Sequence, residues 1–396
     1  MPDVPAKNCA VLHVALNPIT GPWSVMRELA LAQAASGLYA GVGFGIIHDA
    51  AWPSLYLDEL HNTQLPAFER TTPKLFGTAS FLWQVFRRPG IESWVAAFRQ
   101  QTGAQRVVVH FHNAWMSGVF LPLHTTTGAD TICVATIHGV NAQLDGKPLR
   151  RAAHRWMARR LAHAPAHLTS VDTANLALAE SMFALPPARF TVIANGVPAA
   201  SRPGCPFAHG AAEFTLGHVG SITERKGWRL AAEAAVRAAS TGRRVRVLIA
   251  GIGDESADAT AYATQHPAVV TYLGHRNNPR ESIMPELDLL AVMSVQEGLP
   301  MSIIEAQSAG VPVAATSVGG IPHAVRPGIS GHLVERSVDA LSHVICDLYD
   351  HRETLAALST TTLALFRKEF AIDHVVRQYH TLYMQPNPLF PMSTAP

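Results

Sequence analysis

Charge is scarce in this chain. Of its 396 residues only 15% are Asp, Glu, Lys or Arg, against about 25% in typical globular proteins. The 31 basic and 29 acidic residues leave a formal charge of +2. A dedicated nucleic-acid binder concentrates far more basic charge, so nucleic acid is not an expected partner. Cysteine is equally sparse. Cys9, Cys133, Cys205 and Cys346 form no close pair, which fits neither a disulfide framework nor a metal knuckle and points to a reducing compartment. Long hydrophobic runs are missing too, none approaching the ~18–20 residues of a membrane span. The run CAVLHVAL near the start lacks a small-residue cleavage site after it and reads as a first buried strand.

What is present is apolar: 48% of the chain, enough for full-sized cores. A length of 396 residues exceeds the roughly 100–200 of one ordinary domain. Short apolar runs alternate with segments of helical period, the signature of parallel sheets covered by helices. In the first half strands are expected over 10–15, 41–47, 106–111, 131–137, 166–170 and 190–197, with helices over 25–35 and 150–162 among them. A stretch dense in Pro and Gly, GVPAASRPGCPFAHG, breaks the pattern. The alternation then restarts, with strands over 214–219, 245–250, 269–273, 287–293 and 311–315 and helices over 228–239, 257–265 and 302–309. The expected fold class is α/β with two doubly wound, Rossmann-like domains facing across a cleft. Its boundaries are an acceptor-side domain over 1–198, a linker over 199–212, a nucleotide-sugar-binding domain over 213–371, a helix over 372–385 packing back toward the first domain, and a loose tail over 386–396.

Ligands of such sheets gather at the carboxyl ends of the strands. There the chain places EGLPMSIIEA, with Glu297 and Gly298 in a loop, Pro300 suited to a first helical position, and Glu305 on the helix that follows. Carboxylates are strong double acceptors suited to paired hydroxyls, although an isolated pair like this reads more readily as a solvated loop Glu and a surface helix Glu. GSITERKG, residues 220–227, follows another strand and begins another helix, offering backbone N–H groups beside Arg225 and Lys226 in an arrangement suited to phosphate. Glycines end two more strands in AGIGD and SVGGI. His138 falls just past the 131–137 strand; His110 and His112 also sit near a strand end and read as satisfied structural histidines.

Taken in order, GSITERKG, VLIAGIGD, YLGHRNNP and LDLLAVMSVQEGLPMSIIEAQSAGVPVAATSVGGIPHAV closely resemble the carboxyl-terminal half of family-four retaining glycosyltransferases with the GT-B fold, of glycogen synthase-like and bacterial surface-polysaccharide type. The first half matches more loosely through NPITGPWSVMRELA, ATIHGVN and VIANGV. The resemblance implies transfer of a sugar, with retained configuration, from a nucleotide sugar to a glycan, lipid-linked or small-molecule acceptor. The donor, UDP-, GDP- or ADP-linked, is a substrate, and neither cofactor nor metal is implied. It further implies that Glu305 holds the ribose hydroxyls and that Glu297, with the N–H groups of Leu299 and Met301, meets the donor sugar. Lys226 would neutralise the diphosphate, His138 would contact the sugar, and the N–H of Gly21 would approach the phosphates. Ser221, Arg225, Gly251, Arg276, Gly298 and Pro300 complete the expected binding set. Ser221 stands where the family usually has Arg, and His323 where it usually has Glu.

Two other readings compete: a GT-B nucleotide-sugar epimerase and a non-catalytic nucleotide-sugar-binding protein. A nicotinamide dehydrogenase would need Gly-x-Gly-x-x-Gly after its first strand, and AGIGDES breaks that pattern at the third position. Finally, Arg87 and Arg88 beside FLWQVF, and Arg150, Arg151, Arg155, Arg159 and Arg160 along one expected helix, suggest contact with an anionic membrane surface or lipid diphosphate. The expected location is cytoplasmic, peripheral to the inner face of the cell membrane.

Overall fold

The computed structural model describes residues 8–18, 20–49, 52–72, 90–112, 130–139, 156, 159–161, 164, 166–183 and 190–386. They form two compact units. One comprises the described residues up to Ala194 together with those from Val375 onward; the other runs from Asn195 to His374.

The first unit is built on a seven-stranded sheet. Its strands are β1 (Cys9–Leu16), β2 (Gly41–Asp49), β3 (Ala67–Thr72), β4 (Arg106–Phe111), β5 (Thr131–Ile137), β6 (His167–Ser170) and β7 (Phe190–Val192), in the order β3-β2-β1-β4-β5-β6-β7. Every pairing is parallel. Helices α1 (Thr20–Ala35), α2 (Ser54–Asn62), α3 (Ile91–Thr102) and α4 (Thr173–Phe183) are interleaved with the strands. Because side chains alternate along a strand, the sheet has two unlike faces. One carries Leu12, Val14, Val107, Val109, Phe111 and Ala135, which pack with Ile91, Trp94, Val95 and Phe98 of α3. The other carries His13 and His110, paired in register across β1 and β4.

The second unit repeats the plan with six strands: β8 (Phe214–Val219), β9 (Val245–Ala250), β10 (Val270–Gly274), β11 (Leu289–Val292), β12 (Val313–Thr316) and β13 (Gly331–Val334). Their order is β10-β9-β8-β11-β12-β13, again all parallel. The helices are α5 (Trp228–Ser240), α6 (Ser256–Gln265), α7 (Pro279–Ser282), α8 (Met301–Ser308), α9 (Ile321–Ala324), α10 (Val338–Asp350) and α11 (Arg352–Glu369). The last helix, α12 (Ile372–Tyr383), belongs to the first unit from Val375 onward. α5 buries Trp228, Ala231, Ala232, Ala234, Ala235 and Ala238, a stripe of small residues that brings the helix close to the sheet. Truncation of a fully buried tryptophan such as Trp228 costs about 3–5 kcal/mol.

Several expected bounds shift. α1 begins at Thr20 and not near 25, because Pro22 is pre-organised for a first helical turn. Pro300 is the residue before α8, extended at φ −64° and ψ 129°, and not its first helical residue. β7 stops at Val192, after which the chain leaves the sheet. The edge strands β3 and β13 are additional to the expected set: AFERTT is polar and half-exposed, and GHLV is short. The Pro- and Gly-rich stretch expected as a linker is packed into the second unit: Cys205 and Phe207 are buried, and the N–H of Cys205 donates to the carbonyl of Leu287.

Candidate functional site

In the second sheet the chain winds outward in both directions from the β8–β11 pair, so the ligand crevice of a doubly wound fold lies above the ends of these two strands. β8 is followed by a 3-10 turn, Glu224–Lys226, and then α5. β11 is followed by the loop carrying Ser294, Glu297 and Gly298. The two loops meet in an ion pair. Lys226 Nζ lies 2.5 Å from Glu297 Oε1, and Ser294 Oγ donates to the same oxygen at 2.6 Å. Both charged side chains are half-buried. The N–H of Val295 donates to the carbonyl of Arg225, and the guanidinium of Arg225 donates to the carbonyl of Gln296. Arg336 ties the same elements from below, its Nε to the Met293 carbonyl and its Nη2 to the Glu224 carbonyl.

Backbone runs against backbone here, which is why glycines are needed. Gly251 has φ +140°, and a Cβ on it would lie 1.8 Å from the carbonyl oxygen of Gly220. Gly319 has φ +54°, and a Cβ there would lie 1.9 Å from the carbonyl oxygen of Glu297. The N–H of Gly320 then donates to the Gly298 carbonyl. The strand-end loops after β8, β9, β11 and β12 are thereby locked into one rim. Beneath it, His218 of β8 is buried; burial first, and the charge of Lys226 second, push its pKa down to about 4.

In the first unit a second polar group occupies the histidine-bearing face. His13 Nδ1 is 2.8 Å from His112 Nε2, and His13 Nε2 is 2.8 Å from Gln33 Oε1. His112 Nδ1 is 3.0 Å from His138 Nε2. His110 Nδ1 meets the Tyr383 hydroxyl at 2.7 Å, and its Nε2 meets Thr136 Oγ1 at 2.6 Å. Burial holds the rings neutral: His13 and His138 are pushed down to about 4, His110 and His112 well below the ordinary value, the last two also by their histidine neighbours. Ligand atoms of His13, His110 and His112 all lie within 4.8 Å of one another, a metal-compatible spacing. Each of their nitrogens is nevertheless committed to the hydrogen bonds above.

Residues 213–351 match the model of the family described as glycosyl transferases group 1. The matched residues lie within the second unit. A 2-deoxystreptamine glucosyltransferase from Streptomyces kanamyceticus is 35% identical over 158 residues, which is 36% of this chain and 40% of that protein. A D-inositol 3-phosphate glycosyltransferase from Mycobacterium avium is 32% identical over 204 residues, 48% of this chain and 47% of that protein. The chain thus spans less than half the length of the curated relatives it matches. Among solved structures, Anabaena HepE in complex with UDP covers 94% of this chain and 98% of its own at a TM-score of 0.71 and 17% identity. Sucrose-phosphate synthase from Thermosynechococcus elongatus gives 0.70 and 18% over 94% and 98%. The fold is that of GT-B glycosyltransferases.

Within the second unit the structure brings Lys226, Glu297 and Gly298 to one rim, with Ser221 and Gly251 on the adjoining loops. Leu299 is buried at the entry to α8, its carbonyl held by the Asn195 amide. Met301 is the first helical residue, so its N–H lacks an intrahelical acceptor. Glu305 lies half-buried on α8. Arg225 is turned to the Gln296 carbonyl, and Arg276 is exposed in the loop after β10, donating to the His275 carbonyl. His323 on α9 packs edge-on against Phe370. In the other unit Gly21 sits in the first turn of α1 with open space where a Cβ would be, and His138 follows β5 as expected. Sequence reasoning missed the chain behind His138; its one signal was the period-two histidines of VVVHFHN opposite the histidine of the first strand. Of the basic segments, Arg87, Arg88, Arg150, Arg151 and Arg155 lie outside the described residues, whereas Arg159 and Arg160 are exposed and Arg160 stacks over the Trp156 ring. Among the described residues no helix is long and apolar enough to cross a membrane.

Proposed function

We propose that the protein is a retaining glycosyltransferase that moves a sugar from a nucleoside diphosphate sugar to an acceptor without a metal ion. The observation that carries this reading is the Lys226–Glu297 pair at the switch point of the second sheet, inside the residues that match glycosyl transferases group 1. Cleavage of the bond from the anomeric carbon to oxygen adds negative charge to the departing diphosphate. A fixed ammonium and the N–H of Met301 at the start of α8 oppose that charge without reorganising, at roughly 3–4 kcal/mol per donor group. Glu297, which already accepts from Lys226 and Ser294, has further lone pairs for sugar hydroxyls. Glu305 is assigned to the ribose hydroxyls, His138 to the sugar and Gly21 to the phosphates.

UDP is the nucleotide bound by the HepE neighbour, which puts UDP-sugars first among the donors to try. The two curated relatives are named for small-molecule acceptors, 2-deoxystreptamine and D-inositol 3-phosphate, so the small-molecule branch of the acceptor range comes first too. The test is a thermal-shift screen of UDP-, GDP- and ADP-glucose, followed by incubation of the stabilising donor with each of those acceptors in EDTA. A product whose anomeric configuration matches the donor supports the reading. Donor binding with no turnover on any acceptor leaves a sugar-nucleotide binding protein, and release of an epimerised nucleotide sugar makes it an epimerase. Contact of the Arg159–Arg160 region with anionic lipid remains part of the proposal, checked by flotation with phosphatidylglycerol vesicles against phosphatidylcholine alone.

A further inference from the structure

His13 and His110, with Thr136 and Thr169, lie on one face of the first sheet because the register places them there. His13 pairs with His110 across β1 and β4, and Thr136 pairs with Thr169 across β5 and β6. His112 and His138 each follow two residues on from members of the same rows. α1 contributes Gln33 to this face, and α12 contributes Tyr379 and Tyr383. Gln33, His13, His110, Thr136, Thr169 and Tyr383 are fully buried.

The hydrogen bonds have a direction. Gln33 presents its carbonyl oxygen to His13 Nε2 and donates its amide to the Tyr383 hydroxyl. A neutral His13 must then carry its proton on Nε2, leaving Nδ1 to accept from His112 Nε2–H. His112 in turn accepts at Nδ1 from His138 Nε2–H. The second branch runs the same way: Tyr383 donates to His110 Nδ1, His110 Nε2–H donates to Thr136, and Thr136 reaches Thr169 at 2.6 Å. In this sense each ring N–H of the four histidines meets an acceptor, and the one ring nitrogen left over is His138 Nδ1, closed to solvent and without a hydrogen-bond partner. Reversing the chain would put a buried N–H there, and orphaned buried N–H groups are rarer than under-used acceptors.

We infer that Gln33, His13 and His112 are positioning residues that fix His138 as the neutral Nε2–H tautomer and leave its Nδ1 as an acceptor. The low pKa values that burial gives these rings keep the chain uncharged at neutral pH. Resting on the reading of His138 as a donor-sugar contact, this assigns it a chemistry: Nδ1 is covered in this structure, and a movement that uncovers it on ligand binding presents an acceptor to the hydroxyl of a carbohydrate and nothing to a phosphate oxygen. Charge neutralisation of the diphosphate then falls to Lys226.

The test is a long-range 1H–15N correlation spectrum of 15N-histidine-labelled full-length protein at neutral pH, with the His138 signals identified by their loss in His138→Phe. The expected result is protonated Nε2 and bare Nδ1 at His138. In Gln33→Met, which removes the anchor two residues away from the reporter, the ratio of the two His138 tautomers should fall by roughly fivefold, equivalent to one net hydrogen bond. His112→Phe, which cuts the chain next to His138, should do the same if Gln33→Met does not fold. An imidazolium or an Nδ1–H at His138 in the unaltered protein overturns the inference, as does a tautomer ratio indifferent to both substitutions. So does one equivalent of zinc bound through His13, His110 and His112, whose removal shifts those rings. The spectrum needs no nucleotide sugar: the expected tautomer in a protein that neither binds nor turns over UDP-, GDP- or ADP-glucose retires the transferase reading alone, and a working transferase with a charged His138 retires the relay alone.

Discussion

Lys226 and Glu297 are separated by 71 positions in the sequence and by 2.5 Å in space. Neighbouring strands that are not consecutive in the chain produce this closeness: β8 and β11 pair directly, and each delivers one charge to the rim above their ends. Lys226→Ala removes the cation while Ser294 continues to hold Glu297. On the proposed reaction kcat/KM should fall roughly 10²–10³-fold, whereas the fold should survive a stability loss of about 1–3 kcal/mol. Steady-state kinetics beside urea unfolding separates the two. Equal kinetics in the variant would remove Lys226 from the site.

Glu305 is assigned a binding role only, so its removal has a different signature. The side chain is half-buried on α8, and Glu305→Ala should leave the ligand-free melting temperature close to that of the unaltered protein. What it should lose is the donor-induced shift. A ligand at 100 times its Kd stabilises the native state by about 2.7 kcal/mol, and the variant should show little of that at the same donor concentration. A full shift in Glu305→Ala would place the ribose elsewhere.

Gly319 tests whether the rim has to be so tight. Its left-handed backbone and the nearness of the Glu297 carbonyl exclude any Cβ. Gly319→Ala should cost about 1–3 kcal/mol in strain and, because the displaced atom belongs to Glu297, weaken donor binding as well. Gly242→Ala, which also has a positive φ but open space around it, is the control: it should lose stability without affecting the donor.

How much of this was legible in the sequence depends on distance along the chain. GSITERKG and EGLP each follow an apolar run directly, so their placement at strand ends could be read locally. That β8 and β11 are partners could not, because nothing local encodes which parallel strands lie side by side. β3 was missed for an energetic reason: an edge strand made of AFERTT has no second face to bury and shows no apolar run. The histidine relay was hidden for both reasons, since His13 and His112 are 99 positions apart and Gln33 reaches Tyr383 across 350. His110 and His112, read as satisfied structural histidines, are fully hydrogen-bonded.

Asp288 gives the second unit a pH dependence of unusual sign. Its oxygens accept from the N–H groups of Phe207 and Thr215 at 2.7 and 2.8 Å, yet burial outweighs these bonds and the nearby Arg246 and Arg352, and lifts the carboxyl from 3.8 to about 7. The folded state binds the proton more tightly than the unfolded chain does. Its contribution to stability is therefore complete below pH 3.8 and declines as pH rises through 7, by up to about 1.4 kcal/mol per pH unit. The stability difference between the unaltered protein and Asp288→Asn should shrink over that range and level off above it. A difference constant from pH 4 to 8 would show that the N–H bonds hold the carboxylate ionised.

The buried histidines act in the opposite sense on the first unit. His13 and His138 are ordinary bases at 6.5 in an unfolded chain and titrate near 4 when folded, so between those values the unfolded state binds more protons. Stability from these rings is intact above pH 6.5 and is lost as pH falls toward 4. The described partners of His13 are Gln33, His112, His110 and Phe44, so no carboxylate in that group offsets the effect. With four such rings in contact they titrate as a set, and the acid slope should exceed the ~1.4 kcal/mol per pH unit of a single group. Two-unit unfolding is not a single transition, which makes hydrogen exchange the appropriate measurement. After correction for the intrinsic rate, amides of β1 and β4 should lose protection between pH 6.5 and 5, and His13→Gln should flatten that loss. Protection indifferent to pH would mean that the rings are already charged or already open to water.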